Sequence, residues 1–125
     1  VVVFNDKIIT KPDSKKDAKN ILNQLSNNVH EVVTAYAFIN EKEDINIIGH
    51  DITKVFMKEI SPKYLKWYIE TGEPMDKAGG YGIQGKGSIF IKKIEGDFFN
   101  VMGFPISKFV DELNKKNINF SDLEK

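Results

Sequence analysis

Cysteine and arginine are both missing from these 125 residues. Without cysteine there is no disulfide and no thiolate zinc site, so the fold is held by non-covalent forces alone, which fits a reducing compartment such as the cytoplasm. Without arginine, all 18 basic residues are lysines, and no guanidinium fork is available to grip a phosphate through two parallel hydrogen bonds. Excess charge is missing too: 18 lysines balance 18 acidic residues. The net charge therefore points to neither nucleic acid nor an anionic membrane surface as a partner. No apolar run approaches the ~20 residues needed to cross a bilayer, and the first residues lack the basic stretch and cleavage site of a targeting segment.

What is present suits a soluble globular domain: hydrophobic residues make up 41% and charged residues 29%. A chain of this length carries one core, and the expectation is a single domain over 1–125 with a polar tail at 117–125. "VVVF" at 1–4 reads as the middle of a buried strand, so the chain is expected to be cut from something longer. Around the turn-prone Asn5-Asp6 pair, that stretch and "KIIT" at 7–10 predict a hairpin. Ser14 and Asp17 form a capping box, and Ala18, Ile21, Leu22 and Leu25 follow at helical spacing. "EVVTAYAFI" at 31–39 reads as a central strand buried on both faces, followed by the polar "NEKED" turn and a long strand region from Ile45 to Ile60. Ser61-Pro62 starts a helix with Leu65, Tyr68 and Ile69 inward and Gly72 as its stop. A hairpin of "SIFIKKI" at 88–94 and "FFNVMGF" at 98–104 then turns at Glu95-Gly96-Asp97, and Pro105 opens a last helix with Ile106, Phe109, Val110 and Leu113 inward. The predicted class is mixed α/β (α+β).

The stretch "GEPMDKAGGYGIQGKG" at 72–87 holds six of the nine glycines. Its glycines alternate with Met75, Ala78, Tyr81 and Ile83, which can pack, so it reads as an ordered loop rather than a linker. Asp76 and Lys77 stand just before Gly79 and Gly80. Glycine-freed amides make anion-binding concavities, and a carboxylate beside them can hold a divalent cation that bridges phosphates. The competing reading is a tight connector with incidental charges. Gly80, Gly82 and Gly85 satisfy G-x-G-x-x-G, but a strand follows rather than a helix, so the dinucleotide fold does not apply. Gln84 can donate and accept, which suits the edge of a nucleobase as well as it suits a polar filler. Lys11, before Pro12 at the mouth of the first helix, is either a solvated lysine or a compact cation for phosphate oxygens. His30 and His50 read as ordinary strand-end histidines, and no zinc site is expected.

"VVVFNDKIITKP", "HEVVTAYAFI" and "YIETGEPMDKAGGYGIQGKGSIFIKKIEGDFFNVMGFP", with their spacing, resemble the Maf family (septum formation inhibitor Maf) of nucleoside triphosphate pyrophosphatases. The resemblance implies the Maf/Ham1 fold, a bent mixed sheet with flanking helices around a nucleotide cleft. It implies conversion of a nucleoside triphosphate and water to the monophosphate and pyrophosphate, with a divalent cation (Mg2+ or Mn2+) assisting, and often a homodimer. Position by position, Lys11 matches the family's phosphate-contacting lysine, Asp76 and Lys77 match its "DKAG" segment, and Gln84 matches the glutamine of the dTTP/UTP-preferring branch. Asp76 is then the metal-placing carboxylate, and Gly79, Gly80 and Gly82 lie against the substrate. Family members carry an upstream Ser- and Arg-rich loop and an Asp-Thr pair whose Asp is the proposed general base. Neither is present here, so the chain is expected to be the carboxy-terminal two thirds of such a domain and nearly inactive alone. The alternative is a non-catalytic nucleotide-binding or division-regulating remnant.

Overall fold

In the computed structural model, which describes residues 1–124, five antiparallel strands form one sheet in the order β2-β1-β3-β4-β5. β1 (Val2–Phe4) and β2 (Lys7–Ile9) make the predicted hairpin, with Asn5 and Asp6 both in the left-handed region (φ 51° and 62°), as a two-residue turn matched to strand twist requires. β3 (Val29–Asn40) and β4 (Ile45–Met57) form a long hairpin at the centre, and β5 (Ile91–Glu95) pairs with the end of β4. The mixed class is as read from the sequence, and within it every pairing among the described strands is antiparallel.

α1 (Lys15–Leu25) begins where Ser14 Oγ accepts from the Asp17 amide at 3.0 Å while the Asp17 carboxylate accepts from the Asp13 amide at 2.9 Å. Its buried stripe of Ala18, Ile21, Leu22 and Leu25 packs with Leu65, Tyr68 and Ile69 of α2 (Pro62–Glu70) onto Val2, Val32, Val55 and Met57 of the sheet. Each such leucine contributes ~1.5–3 kcal/mol by leaving water. A smaller cluster sits at the far end of the β3–β4 hairpin, where Phe109 and Leu113 of α4 (Ile106–Lys115) cover Tyr36 and Ile47. Gly49 lies opposite Tyr36 in the ladder, and a Cβ there would run into the tyrosine ring, so the glycine lets the aromatic lie across the neighbouring strand.

Three expectations change. β3 is buried on one face only: His30, Val32 and Tyr36 point into the cores, whereas Ala35, Ala37 and Ile39 are exposed, because no described element packs on the opposite side of the sheet. β4 ends at Met57 and buries Ile47, Thr53, Val55 and Met57, which puts Ile52 outside at 46% exposure. The stretch 98–104 is not a strand. Residues Phe98–Met102 form a short helix, α3, because the Asp97 carboxylate caps it by accepting from the Phe99 amide at 2.8 Å and Gly103, at φ 143°, ends it. β5 has β4 as its partner instead. α4 follows as predicted, although Ile106 is exposed. Of the predicted tail, Phe120–Glu124 makes a 3-10 turn and Lys125 lies outside the described residues. No helix among the described residues is long and apolar enough to cross a membrane.

Candidate functional site

The glycine-rich stretch is an ordered chain of turns: Glu73–Asp76, Ala78–Gly80 and Lys86–Phe90 are each one or two turns of 3-10 helix. α2 stops because Gly72 takes φ 78°, and the chain then folds back over the core. Glu73 organises the fold-back. Its carboxylate accepts from the Tyr68 hydroxyl at 2.6 Å, from the Lys86 amide at 2.8 Å and from the Gly87 amide at 2.9 Å. Burial alone would raise the Glu73 pKa, but those three donors and the Lys77 charge outweigh it and hold the carboxyl below its ordinary range. Burial, reinforced by the Glu73 carboxylate, pushes the Tyr68 hydroxyl far above the usual phenol range.

Several glycines are explained by this interior. A Cβ at Gly85 would collide with the Glu73 carboxylate, one at Gly87 with the Tyr68 hydroxyl, and one at Gly82 with the Lys77 stem. Gly79 and Gly80 are buried, at φ 76° and 77°, against Val2 and Leu22 respectively. The loop is tied to the sheet by Tyr81, whose hydroxyl lies 2.6 Å from His30 Nε2, and to the end of β2 by the Gly79 amide donating to the Thr10 carbonyl at 3.4 Å. His30 is thus no surface histidine: it is 1% exposed, and burial lowers its pKa from 6.5 to about 4.

Between this loop, the β1–β3 part of the sheet and α3 lies an open cavity of about 450 Å³. Lys77, Gly82 and Gln84 line its loop side, and Thr34, Asn100 and Met102 line the opposite side. The α3 wall is fixed by Asn100, wholly buried, whose Nδ2 donates to the Val32 carbonyl at 3.1 Å and to Thr53 Oγ1 at 3.0 Å. Thr53 Oγ1 in turn accepts from the Asp97 amide at 3.1 Å. Of the predicted site residues, the cavity therefore brings together Lys77, Gln84 and Gly82. Asp76 lies outside its lining, exposed and paired with Lys77 at 2.9 Å. The Lys77 hydrogen bond and charge, with a smaller contribution from Lys11, lower the Asp76 pKa, and Lys11 itself lies outside the cavity lining. Gly79 and Gly80 also lie outside the lining. Among the described residues no group of three or more His, Asp or Glu is placed to hold a metal ion. A second, wider cavity of about 700 Å³, between α1 and α2, contains none of the predicted residues.

The glycine loop is thus closed around one carboxylate, with a lysine and a glutamine facing one cavity. The profile described as Maf-like protein matches residues 1–116. The chain belongs to the Maf family. Among curated proteins, this Maf chain is 46% identical over 114 residues to the dTTP/UTP pyrophosphatase of Alkaliphilus metalliredigens, covering 91% of the chain and 59% of the relative. It is 49% identical over 106 residues to the dTTP/UTP pyrophosphatase of Pyrococcus furiosus, covering 85% and 55%, and 42% identical over 125 residues to that of Fusobacterium nucleatum, covering 100% and 65%. The Maf chain thus spans between about half and two thirds of the length of these relatives.

Sequence reasoning missed Glu73, Tyr81, His30 and Asn100. Only Asn100 left a signal: a lone amide inside the apolar run 98–104 is the kind of residue that is buried only with hydrogen-bond partners.

Proposed function

We propose that this Maf chain forms the loop side of the nucleotide site of a nucleoside triphosphate pyrophosphatase acting on dTTP or UTP. The observation that carries the reading is that Lys77 and Gln84, a cation and a two-way hydrogen-bonding amide, project from one clamped loop onto one cavity. The names of the relatives supply the substrate class. In the reaction, water adds at the α-phosphorus, the bond to the bridging oxygen breaks, and pyrophosphate leaves with the electron pair. Lys77 is 35% exposed at its side chain and already holds an anion, the Asp76 carboxylate, so a phosphate oxygen can take that place. Lys11, which matches the family's phosphate-contacting lysine, adds a second positive charge against the leaving pyrophosphate. Gln84 reads the base. A divalent cation, Mg2+ or Mn2+, belongs to the reading as a companion of the triphosphate; the described residues give it no coordination set, and no step is assigned to it. The absence of cysteine agrees with a cytoplasmic setting.

The test is pyrophosphate release by protein made from the complete reading frame that contains these residues, assayed with UTP, dTTP, CTP and GTP. Release from UTP and dTTP at least ~10-fold faster than from GTP is expected. No release from any of the four overturns the reading.

A further inference from the structure

The three bonds to Glu73 come from both ends of one loop. Tyr68 stands in the last turns of α2, before the loop begins, whereas Lys86 and Gly87 follow it, 13 and 14 residues beyond Glu73. Between those two ends lie Lys77 and Gln84, both of which line the cavity. The Lys77 stem rests over Gly82, so the lysine's direction is set by how tightly the turn is drawn. A carboxylate is well suited to such closure: it accepts at two oxygens without donating, and charge-assisted bonds to amides are shorter and stronger than neutral ones. The adjoining space is reserved for it, since Gly85 carries no Cβ where the carboxylate passes. Among the described residues Glu73 has no lysine partner of its own within ion-pair distance, unlike Asp76, and it does not line the cavity.

We infer that Glu73 is the positioning residue of the nucleotide site, a strap that draws residues 72–87 into the one shape in which Lys77 and Gln84 face the cavity together. This rests on the nucleotide reading of the cavity. Glu73 touches no substrate; it acts through the Lys86 and Gly87 amides and the Tyr68 hydroxyl. Loosening it separates the phosphate-binding lysine from the base-reading glutamine, so discrimination between bases falls as well as turnover. A residue that merely supported the fold would lower turnover for every nucleotide in proportion.

The experiment compares Glu73→Ala, Glu73→Gln and Tyr68→Phe with the unsubstituted protein from the complete reading frame. Its two readouts are kcat/KM for UTP and GTP, and amide hydrogen exchange at Lys86 and Gly87. Glu73→Ala is expected to speed exchange at both amides and to shrink the UTP-to-GTP preference at least ~10-fold. Glu73→Gln, whose amide oxygen replaces the oxygen shared by Tyr68 and Gly87, is expected to speed exchange at Lys86 alone and to keep the preference within ~3-fold. Fast exchange in Glu73→Ala with an unchanged preference overturns the positioning role while leaving the nucleotide reading intact. Turnover of neither nucleotide by the unsubstituted protein overturns both. Should Glu73→Ala fail to fold, Tyr68→Phe decides: it removes one of the three bonds, and an unchanged preference together with unchanged exchange at Gly87 overturns the strap.

Discussion

His30 Nε2 and the Tyr81 hydroxyl, 51 positions apart in sequence, meet at 2.6 Å in the core and join the central strand to the glycine loop. The other ring nitrogen, Nδ1, has no partner among the described residues. A protonated imidazole must donate from both nitrogens, so the folded protein holds His30 neutral, with a pKa lowered from 6.5 to about 4 by burial. A histidine pKa depressed by folding means that the unfolded chain binds the proton first. Stability is therefore full above pH 6.5 and declines as the pH falls toward 4, at about 1.4 kcal/mol per pH unit and up to about 3 kcal/mol in all. Thermal melts from pH 7 to pH 4 should show this slope, and His30→Gln should flatten its upper part, between pH 6.5 and about 5. A decline of equal steepness in His30→Gln would assign the slope to carboxylates instead.

Gly85 has an ordinary negative φ of −93°, so its identity is not demanded by the backbone. The Glu73 carboxylate is the reason: it passes where a Cβ would stand. Gly85→Ala is accordingly expected to displace that carboxylate from its two amide donors and to cost ~1–3 kcal/mol by urea unfolding. Gly72→Ala serves as the comparison, since open space surrounds Gly72 and only its φ of 78° resists a side chain. Its expected cost is ~1 kcal/mol.

The contrast between these two glycines shows what the sequence discloses. Asn5-Asp6, Ser14 with Asp17, Ser61-Pro62 and Gly72 act on backbone within a few residues of themselves, so the first hairpin, α1 and α2 could be read directly. The density of glycine around Lys77 and Gln84 marked the loop as ordered and as a candidate site. Glu73 could not be found this way, because two of its three donors lie 13 and 14 residues on and no local spacing encodes them. α3 was misread for a different reason. Seven residues with five apolar ones fit a short strand or a short helix equally, and the choice is made by the Asp97 cap and by the bonds Asn100 makes to β3 and β4. Likewise, apolar residues on both faces of β3 suggested burial on both sides, but burial needs a covering layer, which one strand's composition cannot reveal.

Asn100 tests what holds α3 in place. Its side chain is wholly buried and bridges the Val32 carbonyl and Thr53 Oγ1, so Asn100→Ala opens a small void and leaves the Val32 carbonyl one donor short. The expected loss is ~2–3 kcal/mol in chemical denaturation. Because Asn100 and Thr53 share a bond, Asn100→Ala with Thr53→Val should cost less than the two single losses added together, by ~0.5–1.5 kcal/mol. Strict additivity would mean that the Asn100–Thr53 bond contributes nothing to stability.

Gln84 and Lys77 face the same cavity but should fail differently when altered. Lys77 contributes charge, which any triphosphate meets identically, so Lys77→Ala is expected to lower turnover at least ~10²-fold for every base alike. Gln84 is neutral and exposed, and an amide reading a base edge discriminates by ~1–3 kcal/mol without adding to charge stabilisation on the phosphates. Gln84→Glu turns the amide's N–H donors into an acceptor and adds a negative charge, so the ranking of UTP, dTTP, CTP and GTP by kcat/KM should change, with kcat on the best of them falling less than ~10-fold. Steady-state kinetics on the four nucleotides separates the roles. An unchanged ranking in Gln84→Glu would remove this residue from base recognition, and a base-dependent loss in Lys77→Ala would show that the lysine meets the base rather than the phosphates.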